Sequence, residues 1–386
     1  MEYLFYIFPV IACLAIHLWP GTPLPLSGDM LPFALKVDGA ICCCGWLAIG
    51  LVHWLVYRSR TTCDEYLGGY ANGLYFEDSW VEEIHYTTTY TDRDGNTHTE
   101  HHVRHVYHPA QYRVSYTVGR GTYVSESSFW ALARQWQASK VPDEWFGINI
   151  VGGVRFGCHY LYDEVIRADA EAGFPRMLPI TVTHAYTNKV RNSNSIFRFE
   201  NISRQEAQSL DLYGYPVGNG WTVPAVLSHD ITVDGAAARE LDVFNAYWAP
   251  MNQMRLFVLL FDASRSDVTV AEKQRALWHG GNKNELVVCL GIDGDKVRWS
   301  HAWSWADEPK LEAMIESWFA ENTAYDLLVF ARWLKGNYRV WQRKSFADFD
   351  YIRVGLTTTQ SITLLFWSLV ASGGAAYCAL RFLELV

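Results

Sequence analysis

The chain contains no CxxC pair, no GxxxxGKS or GxGxxG phosphate loop, no GxSxG elbow and no HExxH helix. These absences remove the zinc ribbons, P-loop and dinucleotide enzymes, α/β-hydrolases and zinc proteases that those motifs mark. Basic residues are also scarce, 32 Lys+Arg against 41 Asp+Glu, giving a net charge of −9 and a pI near 5.8. A general nucleic-acid binder carries a basic face, so no nucleic-acid partner is expected. There is no internal repeat and no low-complexity linker.

What is present is apolar and aromatic. Half of the 386 residues are hydrophobic and 17 are tryptophan, enough for cores in more than one domain. The eight cysteines are scattered. Five lie in apolar segments at the two ends, and only Cys63, Cys158 and Cys289 fall in the polar body. That spacing is no disulfide framework and suits a reducing compartment. Cys158 and His159 are neighbours on a strand pattern and point to opposite faces, which makes a poor nucleophile–base dyad.

Three apolar stretches, 3–19, 39–57 and 361–383, predict membrane helices. The first contains Pro9, which membrane helices tolerate. Its leading "MEYLFY" has no Lys or Arg, so a helical anchor is expected over a signal peptide. Arg58, Arg60, Lys335, Arg339, Arg343, Lys344 and Arg353 flank the body, whereas the outer loop and the C-terminal end hold only Lys36 and Arg381. The positive-inside rule then puts the body in the cytoplasm of a bacterial inner-membrane, multi-pass protein. "SGGAA" (372–376) offers small residues for close packing on the first two helices or on another copy.

The expected fold class is α+β, membrane-anchored, an antiparallel β-rich part followed by a small βαββα domain. Residues 1–58 hold two membrane helices, 59–250 the β-rich part, 251–345 the α/β part and 356–386 the last membrane helix. In the β-rich part, "EEIHYTTTYT", "NTHTEHHVRHVYH" and "QYRVSYTV" alternate as an antiparallel meander. Asp94-Gly95 supplies a two-residue turn between the first two. "SSFWALARQWQA" is a helix whose Phe129, Leu132, Ala133 and Trp136 form one apolar face.

Five histidines fall between His98 and His108. On a strand, i and i+4 are about 13 Å apart and i and i+2 about 7 Å, so His98, Glu100 and His102 share a face. The Asp94-Gly95 turn puts His85 opposite Arg104 and diagonal to His102. Glu100, His102 and His85 then offer a mixed nitrogen and oxygen set for zinc. A pH sensor and a plain polar strand face are the other readings of the same residues.

From 251 the pattern changes to "MRLFVLLFD", a helix at "VTVAEKQRALWHGG", "NELVVCLGID", "VRWSHAWSW", a helix from Asp307, and "YDLLVFARWLKG". This β-α-β-β-α-α order over 251–343, with a membrane helix behind it, resembles a reduced TPM domain, found in membrane-tethered bacterial and plastid proteins. The stretches "CDEYLGGY", "YHPAQY", "HAYTNKVRNSNSIF", "NKNELVVCLGID" and "DFDYIRV" resemble uncharacterised membrane-anchored proteins of bacteria and bacteriophages. The TPM resemblance implies phosphatase-like or calcium-binding chemistry. Independently, Asp262 and Asp293 end two adjacent strands, where α/β sheets bind ligands, and paired carboxylates hold Mg²⁺ or Ca²⁺. Ordinary turn chemistry explains the same residues. Trp299, His301, Trp303 and Trp305 alternate onto one face, either core under the helix that follows or a surface for a protein partner.

Two functions follow as expectations. The first is a membrane-anchored binding or scaffolding protein, homo-oligomeric, whose partners are the lipid bilayer and another protein. The alternative is a divalent-metal-dependent, phosphatase-like hydrolase on the membrane.

Overall fold

The computed structural model describes residues 6–18, 31–136, 139–145, 150–151, 155–161, 176–190, 199–218, 221–352 and 354–385. Two compact units emerge, one from Met1–Cys63, Ala185–Arg198 and Ser345–Val386, the other from Asp64–His184 and Phe199–Lys344. The protein is mixed α+β with antiparallel sheets.

The first unit is built on three helices, α1 (Phe8–His17), α2 (Leu31–Thr61) and α9 (Thr358–Leu385, the last helix in chain order). Within α2 and α9, Leu35–Thr61 and Thr358–Ala379 are long and apolar enough to cross a membrane, with 11% of each window buried. The described helix α1 has ten residues, about 15 Å, half of a hydrocarbon core. Pro9 opens α1 in its first turn, where its missing N–H costs nothing, so it starts the helix and does not kink it. Arg58 and Arg60 close the last turn of α2, at the negative end of its dipole.

Small residues let these helices approach. A Cβ on Gly45 would stand 3.0 Å from Pro9 Cγ and 3.5 Å from Ser372 Oγ. Cys13, Cys42 and Ala376 form a buried cluster, with Ser372 buried as well. The "SGGAA" stretch therefore packs on the first two helices.

The second unit begins with β1 (Thr62–Glu77), the spine of an antiparallel sheet. Next come β2 (Trp80–Thr91), β3 (Thr97–His108), β4 (Gln111–Tyr116), β5 (Thr122–Tyr123) and α3 (Glu126–Trp136). They are followed by β6 (Ser139–Trp145), β7 (Ile150–Val151), β8 (Arg155–Leu161) and β9 (Pro179–Thr187). The sheet order is β5-β4-β1-β8-β6, with β9 also paired to β1. The meander expectation fails here: β3 pairs only β2 among the described residues, while β4 crosses to β1 and β5. Gly68 explains why β1 hides in the sequence. A Cβ there would lie 1.9 Å from the Asn245 carbonyl oxygen, so the strand needs a residue with low β-propensity. Phe129 and Leu132 of α3 seal this sheet against Leu74, Val114 and Ile180. Residues 199–202 are irregular.

The chain then builds α4 (Arg204–Ser209), β10 (Val226–Ser228) and α5 (Gly235–Val243), capped by the Asp234 carboxylate accepting from Ala237 N. It continues with β11 (Arg255–Asp262), α6 (Thr269–Leu277), β12 (Glu285–Asp293), β13 (Lys296–Ser304), α7 (Lys310–Glu321) and α8 (Leu327–Asn337). Strands β10, β11 and β12 run parallel, and β13 is antiparallel at the edge. Leu256, Val258, Leu260, Leu286, Val288 and Leu290 face α5, α7 and α8. The alternate residues Phe257, Leu259, Phe261, Val287 and Cys289 face α6. Both faces of the central strands are covered, which is why they read as continuous apolar runs. The α7 cap differs from expectation: its N-cap is Pro309, and Asp307 instead donates its N–H to the Gln342 carbonyl.

Candidate functional site

Two places in the second unit concentrate polar chemistry. The first is the ribbon of β2 and β3, paired without interruption from Trp80↔His108 to Thr91↔Thr97. Its loop is 92–96, organised by Asp92. That carboxylate accepts from Asp94 N (3.0 Å), Asn96 N (2.8 Å) and the His98 ring (2.8 Å). These hydrogen bonds, His98 first, hold the Asp92 carboxyl below the usual aspartate range. Gly95 takes a left-handed φ of 85°.

A five-residue loop sets a different register from a two-residue turn, and a one-residue slip moves every side chain to the other face. His85 lies opposite Val103, and Tyr86 opposite His102. Glu100 and His102 share one face, with the carboxylate 3.7 Å from the ring. His85 is on the other face, 3.1 Å from Glu83. The zinc set His85, Glu100 and His102 is therefore not brought together. Among the described residues, no group of three His, Cys, Asp or Glu is placed to hold a metal.

The true register creates something the shifted one did not. Three aromatic–histidine pairs face each other directly across the strands: Trp80–His108 (4.2 Å between centroids), Tyr86–His102 (5.1 Å) and Tyr90–His98 (5.4 Å), all stacked. His102 also bonds Thr88 Oγ1 at 2.7 Å, and His108 meets Glu82 at 2.9 Å. The distal half of the ribbon is exposed on both faces, and Tyr86, Tyr90, Val103 and Tyr107 are exposed large side chains along the ribbon. The sequence signal for these pairs is the 188 sum of their numbers, visible only once the loop length is known.

The second place is a cleft of about 550 Å³ at the carboxyl ends of β10, β11 and β12, lined by Asp230, Asp262, Asp293, Asp295 and Tyr325. A smaller pocket of about 170 Å³ shares Asp230 and Asp262 and adds His229, Tyr213 and Arg265. Asp262 and Asp293 thus line one cleft, each held by its own arginine. Asp262 accepts from Ser264 N (2.8 Å), Ser264 Oγ (2.6 Å) and Arg265 Nε (2.7 Å). The Ser264 and Arg265 hydrogen bonds push its carboxyl down to about 2. Arg265 also reaches Asp230 at 3.2 Å and Asp211 at 3.5 Å, and Arg298 holds Asp293 at 2.6 Å. Asp230, Arg265 and Tyr325 were not visible as site residues in the sequence, because each comes from a separate loop. Glu272 lies elsewhere, 3.0 Å from His301.

The tryptophans belong mainly to the interior. Trp303 is 3% exposed and packs on the α6 side of the sheet, not under α7. Trp299 donates Nε1–H to the Ser266 carbonyl at 3.0 Å and lies over Phe261. Trp305 sits beside Gly280. The side chains of Cys158 and His159, on β8, are outside the described residues.

At the opposite end of the parallel strands, Arg255 and Glu285 are register partners and both are buried. Arg255 donates to Thr181 Oγ1 at 3.2 Å and to the Val223 carbonyl, and Glu285 accepts from Tyr215 Oη and, at 2.8 Å, from Asn282 N. Burial raises the Glu285 carboxyl and lowers the Arg255 guanidinium to about 10. Arg255 Nε has no hydrogen-bond partner among the described residues, while the bonds named here are made internally, which gives this network a structural role. No protein-family model, curated protein or solved structure matches the chain.

Proposed function

We propose that this is a membrane-anchored binding or scaffolding protein of the bacterial inner membrane, with its body in the cytoplasm, engaging a protein partner through the β2–β3 ribbon. The observation that carries the reading is the ribbon itself: three stacked aromatic–histidine pairs on an arm whose distal half is exposed on both faces. Aromatic rings present large contact area at low entropic cost, the usual make-up of a binding hot spot. The α2 and α9 windows support the anchor. The Lys/Arg bias at their body-side ends supports the orientation, α1 completing a three-helix, multi-pass anchor. Homo-oligomerisation belongs to the same reading.

The test is a photo-crosslinking residue placed at Tyr90, and separately at Val329 on the exposed face of α8, in cells. A discrete protein adduct from the Tyr90 position, lost when Tyr86→Ala is added, is the expected result. Equal adducts from both positions would sink the reading. A membrane-impermeant thiol reagent should fail to reach a cysteine introduced at Asp94 in intact cells; labelling there would reverse the orientation.

One observation favours a second reading, the divalent-metal-dependent, phosphatase-like hydrolase. Asp262 and Asp293 do line a single cleft at the carboxyl ends of parallel strands, and the TPM resemblance implies the same kind of chemistry. Mg²⁺ or Ca²⁺ found by mass spectrometry on the purified protein, and lost in Asp262→Ala with Asp293→Ala, would promote it over the first.

A further inference from the structure

Strand β3 has one neighbour among the described residues, so its outer edge is open. Antiparallel alternation decides which backbone groups face that edge. The Asp92 N–H donates to the Asn96 carbonyl at 2.9 Å, which makes the even-numbered residues of β3 the ones bonded to β2. The N–H and C=O groups of Thr97, Thr99, His101, Val103, His105 and Tyr107 therefore point outward. Proteins that keep such an edge single interrupt it with proline, lysine or a bulge. Thr97–His108 contains neither residue, and its pairing with β2 runs without a register shift.

The charges along this edge are arranged symmetrically about one residue. Glu100 and Arg104 stand two positions to either side of His102. On one strand they are about 13 Å apart and cannot meet. Both are exposed, and Arg104 makes no hydrogen bond or ion pair among the described residues.

We infer that β3 pairs antiparallel with β3 of a second copy, in register about His102, so that Glu100 of each copy faces Arg104 of the other. Both ion pairs are satisfied at once by a two-fold operation, the self-complementarity an isologous contact requires. The outward-pointing groups of His101 and Val103 exchange backbone hydrogen bonds across the contact. The 102/102 and 100/104 pairs fall at the sites where facing side chains come closest. Paired residues share a face, so the two ribbons join into one six-stranded sheet, with β7 of each copy on the far side of its β2, and share a continuous aromatic–histidine face. This names the contact surface of the homo-oligomer in the proposed function and rests on that part of it.

The experiment uses the full chain in detergent, its oligomeric state read by light scattering corrected for the micelle. Glu100→Arg alone and Arg104→Glu alone each set like charges opposite one another and should raise the dimer dissociation constant roughly tenfold or more. Mixing the two single variants should restore a dimer, because each supplies what the other lacks. The variant carrying both changes should dimerise as the parent does, which rules out misfolding as the cause. His102→Cys should cross-link to its counterpart under a copper oxidant that takes up the two electrons as two thiols become one disulfide. Thr97→Cys, far from its own counterpart in this register, should not. A parent that is monomeric overturns the inference and the homo-oligomer reading together. A dimer that survives both charge reversals, without a link through position 102, places the contact elsewhere and overturns the inference alone.

Discussion

Tyr86 and His102 face each other across the ribbon, ring centroids 5.1 Å apart and planes within 23° of parallel. A directly opposed aromatic pair of this kind contributes roughly 0.5–1 kcal/mol. Tyr86→Ala and His102→Ala, alone and combined, should give a coupling energy of that size, read from hydrogen exchange of the ribbon amides. Additive losses would mean that the rings stack without stabilising each other.

The legibility of this region turned on one loop. Alternation in "EEIHYTTTYT" and "NTHTEHHVRHVYH" located both strands, and Asp-Gly located the turn between them. Asp92 then decided the register by closing a five-residue loop through its own carboxylate, and a side chain bonding to backbone amides two and four residues on leaves no trace in hydrophobic period. The same limit hid β1, whose glycines serve a close backbone approach, and β10, which is three residues long. The buried strands β11 and β12 were legible because the successive positions 256–261 and 286–292 have no polar face to present. Asp262 and Asp293 were legible as strand ends. The arginines that hold them were not, since nothing in the spacing of Arg265 and Arg298 reveals which carboxylate each will meet.

Asp262 should titrate at about 2 in the folded protein because Ser264 and Arg265 favour its ionised form. The sign follows from that depression. The contribution is present above the unfolded aspartate value, near 4, and is lost as the pH falls through the folded one. Carboxyl chemical shifts of Asp262 against pH check it, and a midpoint near 4 would show the contacts do not form in solution. Asp262→Asn should abolish this acid-dependent step.

Arg255→Leu should destabilise the second unit by about 3 kcal/mol or more. The guanidinium is 1% exposed, and its loss removes one bond each from Thr181 Oγ1 and the Val223 carbonyl, which keep Thr222 Oγ1 as a partner, and leaves Glu285 buried without the Arg255 charge. Denaturant unfolding measures the change. A loss under 1 kcal/mol would mean that water takes the place of the guanidinium beside Glu285.

Gly291→Ala tests whether Trp299 is packed as the structure shows. The methyl group would fall 2.0 Å from Trp299 Nε1 and 2.1 Å from Cε2, so the indole must leave its place over Phe261 and give up its bond to the Ser266 carbonyl. Overpacking of this kind costs typically about 1–3 kcal/mol. The same indole is the obstacle in every case, so Trp299→Ala should make Gly291→Ala nearly neutral, and the two losses should be strongly sub-additive. A binding surface would behave otherwise. If Trp299 were free to swing out toward a partner, Gly291→Ala would cost little on its own and the double variant would simply sum the two. Thermal unfolding of the four proteins, with tryptophan fluorescence to report the exposure of the indole, separates the outcomes.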